Sequence, residues 1–192
     1  MNLHKSLFIL FIAMVIFQLF VPFKMILDKE IILRYGTEFK FITAPIDPHD
    51  PFRGKYISLQ FDESLIEIPT SREWLTGEPI YLILTVDDNG FARVDSATEK
   101  RPSVRQHYLK TKVRYYYSDR VRVTFPFDRF YMEESKAYDA EMAYQESQTD
   151  TSATAYALVS IKDGVGVLKD VLIDGVPIRE IARQRNINRQ EK

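Results

Sequence analysis

The sequence predicts a mainly β domain of the α+β type, antiparallel strands with one helix, preceded by an N-terminal transmembrane helix. Three observations predict it. An uncharged apolar run, "SLFILFIAMVIFQLFVPF", lies between Lys5 and Lys24. Beyond it, apolar and polar residues alternate with a period of two in one segment after another, the mark of half-buried strands. Aromatics make up 13% of the chain, mostly Tyr and Phe, a composition that favours strands.

The apolar run holds only two polar side chains, Ser6 and Gln18. As a helix it reaches roughly 27 Å, close to the thickness of a bilayer core. Lys24 can snorkel, and Met25–Leu27 extend the apolar span, so the segment that meets the lipid bilayer is 6–27. A buried core helix would show a polar face, and this one has none. A cleaved signal peptide would have a shorter run and a small-residue cleavage site, and no A-x-A pattern stands near Val21–Asp28. The segment therefore reads as an uncleaved signal-anchor. The amino terminus and Lys5 assign residues 1–5 to the cytoplasm, although Lys24 and Lys29 flank the other side. The expected address is the inner (plasma) membrane, single-pass, with the C-terminal domain extracytoplasmic (periplasmic).

The β-rich domain is expected over 28–182. "EIILRYG" and "TEFKFITAPID" read as its opening strands, with Phe39, Phe41 and Thr43 on one face and Glu38, Lys40 and Ile42 on the other. In the next strand Ile57, Leu59 and Phe61 alternate with Tyr56, Ser58 and Gln60. "PIYLILTVDDNGFARVDSA" is a hairpin around Asp87–Gly90, since Asn-Gly is a favoured hairpin turn. "KVRYYYSDRVRVTFPFDRFYM" is a second strand pair around Ser118-Asp119, with Val121, Val123 and Phe125 facing one way and Arg120, Arg122 and Thr124 the other. The helix is expected at Glu134–Gln148, with Tyr138, Met142 and either Tyr131 or Ala143 on its inner stripe. "TSATAYALVSIKDGVGVLKDVLIDGVPI" reads as two or three strands broken at Asp163-Gly164 and Asp174-Gly175. The polar tail 183–192 lacks apolar anchors and is expected to fray.

Composition excludes several functions. The formal net charge is -1, so no global field points to nucleic acid or to acidic substrates. The basic and aromatic interleaving of "KVRYYYSDRVR" reads as the wet face of a strand rather than a nucleic-acid surface. The chain has no cysteine, which excludes disulfides, thiolate metal sites, iron–sulfur clusters and cysteine nucleophiles. The seven glycines form no phosphate-cradling loop. No cofactor and no metal are expected.

The densest chemistry lies in "DPHDPFRGKYISLQF", Asp47 to Phe61. Asp47 and Asp50 stand beside prolines, where aspartate bonds local backbone amides and favours turns. A metal pair with His49 lacks a second histidine at ligand spacing, and His107 stands alone. Arg53 can clamp Asp47 or Asp50, or hold an outside carboxylate or phosphate such as a lipid head group. Gly54 suits a positive φ or a close backbone approach. Tyr56 reads as a core or interface tyrosine with a bonded hydroxyl. The corner is a stiff platform, and a stiff surface loses less ordering entropy when a partner binds.

Those residues resemble the motif of the GDYXXLXY family. Gly54, Tyr56 and Leu59 match; Lys55 stands where the family has an acid, and Phe61 replaces the second Tyr. "PIDPHDPFRG" is similar to the family's lead-in. "RFYMEES", with Arg129, Tyr131 and Glu133, resembles a second element, and Gly166–Ile178 resembles the closing strands. The resemblance implies a membrane-anchored bacterial protein of a family without an assigned function, whose members are often encoded beside, or fused to, multi-span membrane proteins. The site residues it implies are Asp47, Asp50, Arg53, Gly54, Tyr56, Leu59 and Phe61, with Arg129, Tyr131 and Glu133 as a second set.

Two functions compete. A hydrolase needs a nucleophile and a base; Ser58 is the available serine, with Lys55 or Lys162 as base in a Ser–Lys arrangement. Ser58 and Lys55 lie three apart on a strand and so face opposite sides, and no G-x-S-x-G elbow is present. Surface acids such as Asp87, Asp88, Glu133 and Glu134 are too ordinary to mark a glycosidase pair. The favoured expectation is a non-enzymatic accessory module that binds a multi-span membrane protein; no catalytic residue is assigned.

Overall fold

The computed structural model describes residues 3–44, 56–67, 73–103, 106–117, 120–149 and 153–190. Helix α1 (Leu3–Tyr35) is one continuous rod of 33 residues, which extends roughly 50 Å. It is long and apolar enough to cross a membrane. Apart from the half-buried Val15, its large apolar side chains from Leu7 to Leu27 are exposed, and the other described residues do not cover them.

The expected strand "EIILRYG" is corrected here, because Glu30–Tyr35 complete α1. Two ion pairs at i,i+4, Lys24–Asp28 at 2.7 Å and Arg34–Glu30 at 2.6 Å, form only on a helix. Ile32 then turns its side chain into the domain, where it is buried. The Gly36 N–H donates to the Ile32 carbonyl at 2.8 Å and closes the last turn. A Cβ at Gly36 would lie 2.5 Å from that carbonyl and 3.1 Å from the Ile161 nitrogen. Only glycine lets the helix end pass so close to the domain.

The strands follow in chain order: β1 (Thr37–Ala44), β2 (Tyr56–Ser58), β3 (Gln60–Phe61), β4 (Leu65–Glu67), β5 (Pro79–Val86), β6 (Ala92–Thr98), β7 (Tyr108–Tyr117), β8 (Arg120–Thr124) and β9 (Arg129–Tyr131). After helix α2 (Glu134–Thr149) come β10 (Ala155–Lys162), β11 (Val165–Ile173) and β12 (Val176–Pro177), then helix α3 (Ile178–Gln190). One sheet has the order β12-β11-β10-β1-β3 and the other β4-β8-β7-β5-β6, with β2-β9 as a separate ladder. All of these pairings are antiparallel.

The alternation expected from the sequence is the one observed. Phe39, Phe41 and Thr43 are buried on β1, and Ile57, Leu59 and Phe61 along the next segment. Val121, Val123 and Phe125 are buried on and just after β8. Residues from both sheets meet in one core. At its centre Phe41 lies 6.1 Å from Phe61, 5.6 Å from Phe125 and 5.4 Å from Phe127. Edge-on and tilted ring pairs of this kind add to what burial alone contributes. The sheets also touch directly, where the Lys110 N–H donates to the Gly164 carbonyl at 2.8 Å.

The turns follow their chemistry. Asp163 and Gly164 take φ of 52° and 82°, and Asp174 and Gly175 take 49° and 84°. Two successive positive values match the twist of the strands they join. In the β5–β6 turn the Asp87 carboxylate accepts the N–H groups of Asn89 at 3.0 Å and Phe91 at 2.9 Å. The Ser118-Asp119 connection lies outside the described residues, but β7 and β8 pair up to Tyr117 and Arg120.

Two expectations about helices are corrected. On α2 the buried stripe is Ala140, Ala143, Tyr144 and Ser147, with Asp139 beside it. Tyr138 is 61% exposed and Met142 half-buried, because the helix turns both of them off that stripe. The 183–192 segment, expected to fray, continues α3 as far as Gln190. Its anchors precede it: Ile178 and Ala182 are fully buried. Arg185 pairs with Glu146 of α2, which ties the two helices together.

Candidate functional site

The motif strand is divided between two ladders. Its lead-in, including Asp47, His49, Asp50, Arg53, Gly54 and Lys55, lies outside the described residues. From Tyr56 onward β2 pairs with β9, matching Tyr56 with Tyr131, Ile57 with Phe130 and Ser58 with Arg129. Leu59 breaks the run, and its N–H donates to the Asp128 carbonyl at 2.8 Å. β3 then changes partner and pairs with the end of β1, Phe61 opposite Thr43. One short segment thus ties the β9 region to the first sheet.

The alternation sorts the motif by role. Leu59 and Phe61 are each 3% exposed, so these two motif positions build the core and offer no surface to a partner. Tyr56 faces the other way and meets the second motif element. Its ring lies 5.4 Å from that of Tyr131, and the Arg129 guanidinium lies 5.0 Å from its centre. A guanidinium over a tyrosine face is attracted by the ring's negative π cloud. The Arg129 pKa is raised further by its hydrogen bond with Tyr131, and then by the charge interaction with Tyr56. Tyr131 is 60% exposed, so the cluster opens to solvent. Glu133 follows, and the Lys136 ammonium, 2.8 Å away, holds its carboxyl below the usual range. Residues more than seventy positions apart in the sequence, Tyr56 and the Arg129–Tyr131 pair, are brought together.

Beside this cluster lies a polar cavity of about 180 Å³, lined in part by Ser58, Gln60, Ser64, Arg114, Arg122 and Asp128. Sequence reading missed the two arginines. Their signal was present in "KVRYYYSDRVR", but it reads equally as a wet strand face. Lys162 lines a different cavity, at the anchor end of the domain, and lies 5.7 Å over the Tyr35 ring. The fold therefore does not bring Ser58 and Lys162 together as nucleophile and base. His107 packs edge-on against Phe39 at 5.5 Å. Among the described residues, no group of three acidic or histidine side chains is arranged to hold a metal ion.

A family model described as "GDYXXLXY protein" matches residues 18–171. The chain belongs to the GDYXXLXY family. The match takes in the later part of α1, the motif strand, the Tyr56–Arg129–Tyr131 cluster and the strands of both sheets as far as Val171 in β11. Comparison with curated proteins and with solved structures yields no match. This GDYXXLXY protein departs from the motif at Phe61, and the core gives a physical reason. Phe61 packs 5.1 Å from Phe125 and 5.4 Å from Phe127. A tyrosine there would need a partner for its hydroxyl among phenylalanine rings. The departure at Lys55 lies outside the described residues.

Proposed function

We infer that this protein is a non-enzymatic module of the cell envelope, anchored in the inner membrane with its domain on the outer face, which binds a multi-span membrane protein. The observation that carries the reading is the Tyr56–Arg129–Tyr131 cluster. Tyrosine and arginine are the residue types that most often dominate binding energy at interfaces. Here they are already held against each other on a short ladder, and the strand that carries Tyr56 follows in sequence on the segment with Asp47, Asp50, Arg53 and Gly54. A surface pre-ordered in this way gives up little entropy on docking. The anchor restricts the domain to the zone next to the membrane, where the exposed ends of multi-span proteins are its neighbours. The orientation rests on Lys5 and the amino terminus as the cytoplasmic charges.

The test is capture of partners from membranes in mild detergent with the tagged full-length chain. It is run beside Arg129→Ala and Tyr131→Ala, both at exposed positions. We expect a protein with several membrane spans to be captured by the wild type and lost at least tenfold with either variant, while the melting temperatures of the variants stay within about 3 °C. Equal capture by all three chains, or no multi-span protein with any of them, overturns the reading.

A further inference from the structure

We propose that the cavity between the motif strand and β7–β8 is a binding site for a phosphoryl oxyanion, held by Arg114 and Arg122. Three independent observations meet there. The first is charge left unanswered. Arg34, Arg93, Arg101, Arg120, Arg129, Arg183 and Arg185 each have a carboxylate within 4.0 Å. Arg114, Arg122 and Arg179 have none among the described residues, and the first two line this cavity together.

The second is an unused donor. The Nε–H of Arg122 is buried and has no hydrogen-bond partner, although the guanidinium lies 5.6 Å over the Tyr115 ring. Native proteins seldom leave a buried donor idle, and an arginine fork fits two oxygens of one anion. The third is backbone geometry. The β7–β8 register runs from Val113 opposite Val123 directly to Tyr115 opposite Arg122, so Arg114 is the extra residue of a β-bulge. Bulges re-aim side chains and recur beside functional sites. Here Arg114 and Tyr115 together stand opposite the single residue Arg122, so both arginines belong to the bulge.

The remaining lining suits the same ligand. Ser58, Ser64 and Thr124 offer hydroxyls and Gln60 an amide, donors for further phosphoryl oxygens. Asp128 is the one acid in the lining, and its carboxylate faces Arg129 at 3.9 Å. The lining therefore keeps a net positive charge of one: two arginines and one aspartate. At about 180 Å³ the cavity is smaller than the pockets of drug-sized ligands and matches a compact phosphate ester or a single headgroup. The ligand's source is either a soluble phosphate ester or the headgroup of a bilayer lipid. The proposal does not depend on the multi-span partner.

The experiment uses the full chain in nanodiscs and reads its melting temperature. In phosphatidylcholine discs, glycerol 3-phosphate is titrated against sodium chloride of equal ionic strength. A second arm replaces part of the phosphatidylcholine with phosphatidylglycerol and adds no soluble ligand. The variants are Arg114→Gln, Arg122→Gln and, as control, Arg120→Gln on the same strand. We expect a rise of about 3 °C or more at saturating ligand in one arm, lost with Arg114→Gln and Arg122→Gln and kept with Arg120→Gln. A rise with glycerol 3-phosphate identifies a soluble ester as the source; a rise confined to phosphatidylglycerol identifies the lipid. Arg114 is exposed, so its variant reports on binding even where Arg122→Gln folds poorly. The proposal is overturned when neither arm exceeds the sodium chloride control, or when the Arg114→Gln chain keeps the full shift.

Discussion

Tyr144 shows what a single buried polar group does to this protein. It is 2% exposed on the inner face of α2, and burial pushes its pKa up to about 12. Burial disfavours the charged phenolate, so the folded state keeps the proton longer than the unfolded chain. Below pH 10 both states are protonated and the stability is fully present. Between about pH 10 and 12 the unfolded chain ionises first, and stability is lost as pH rises. A shift of two units corresponds to about 3 kcal/mol. We predict that Tyr144→Phe unfolds in urea with a flatter pH dependence, so that the variant gains about 3 kcal/mol on the wild type between pH 9.5 and 12. Parallel curves for the two chains would show that Tyr144 ionises as freely in the fold as outside it. Asp87 acts in the opposite sense. The Phe91 N–H, and with it Arg93, hold its carboxyl low. Its contribution is present above the ordinary carboxylate range and is lost as pH falls through its lowered pKa.

At the scale of elements, the junction between α1 and the sheet is the tightest point of the chain. The helix ends, the strand begins and β10 passes by, all around Gly36. Both groups that a new Cβ would strike are backbone atoms, which cannot swing aside as a side chain can. Gly36→Ala is predicted to destabilise the domain by about 1–3 kcal/mol, the usual cost of overpacking, measured by urea denaturation in detergent. A loss below about 0.5 kcal/mol would mean that the helix end yields and that anchor and domain are loosely joined. The bulge at Arg114 belongs to this scale as well. No single strand makes the cavity, which is lined by the motif strand, by Arg114 of β7 and by β8 and the residues after it.

For the whole molecule the open quantity is orientation. The chain has no cysteine, so a single introduced one is an unambiguous reporter. Leu75 is 68% exposed and lines neither of the cavities described above. We predict that Leu75→Cys reacts with a membrane-impermeant maleimide in cells whose outer membrane has been opened, without lysis. Labelling that appears only after lysis would put the domain in the cytoplasm and reverse the orientation inferred from Lys5. The same result would remove the envelope setting of the partner reading.

Some of this architecture was legible in the sequence because it depends on local order. An uncharged run long enough to span a bilayer, period-two alternation and Asp-Gly turns are properties of neighbouring residues. They determined the apolar helix, the faces of β1, β3 and β8, and the β10–β11–β12 hairpins. The motif residues were legible as a set, but not their division of labour. Only the tertiary structure decided that Leu59 and Phe61 build the core while Tyr56 joins Arg129 and Tyr131, because that depends on which strands pair across some seventy residues. It also decided that Glu30–Tyr35 continue the anchor helix, that α3 docks through Ile178 and Ala182, and that Arg114 and Arg122 share one cavity. Each of these rests on contacts between distant segments, and a one-residue bulge in β7 leaves no mark in the spacing of the sequence.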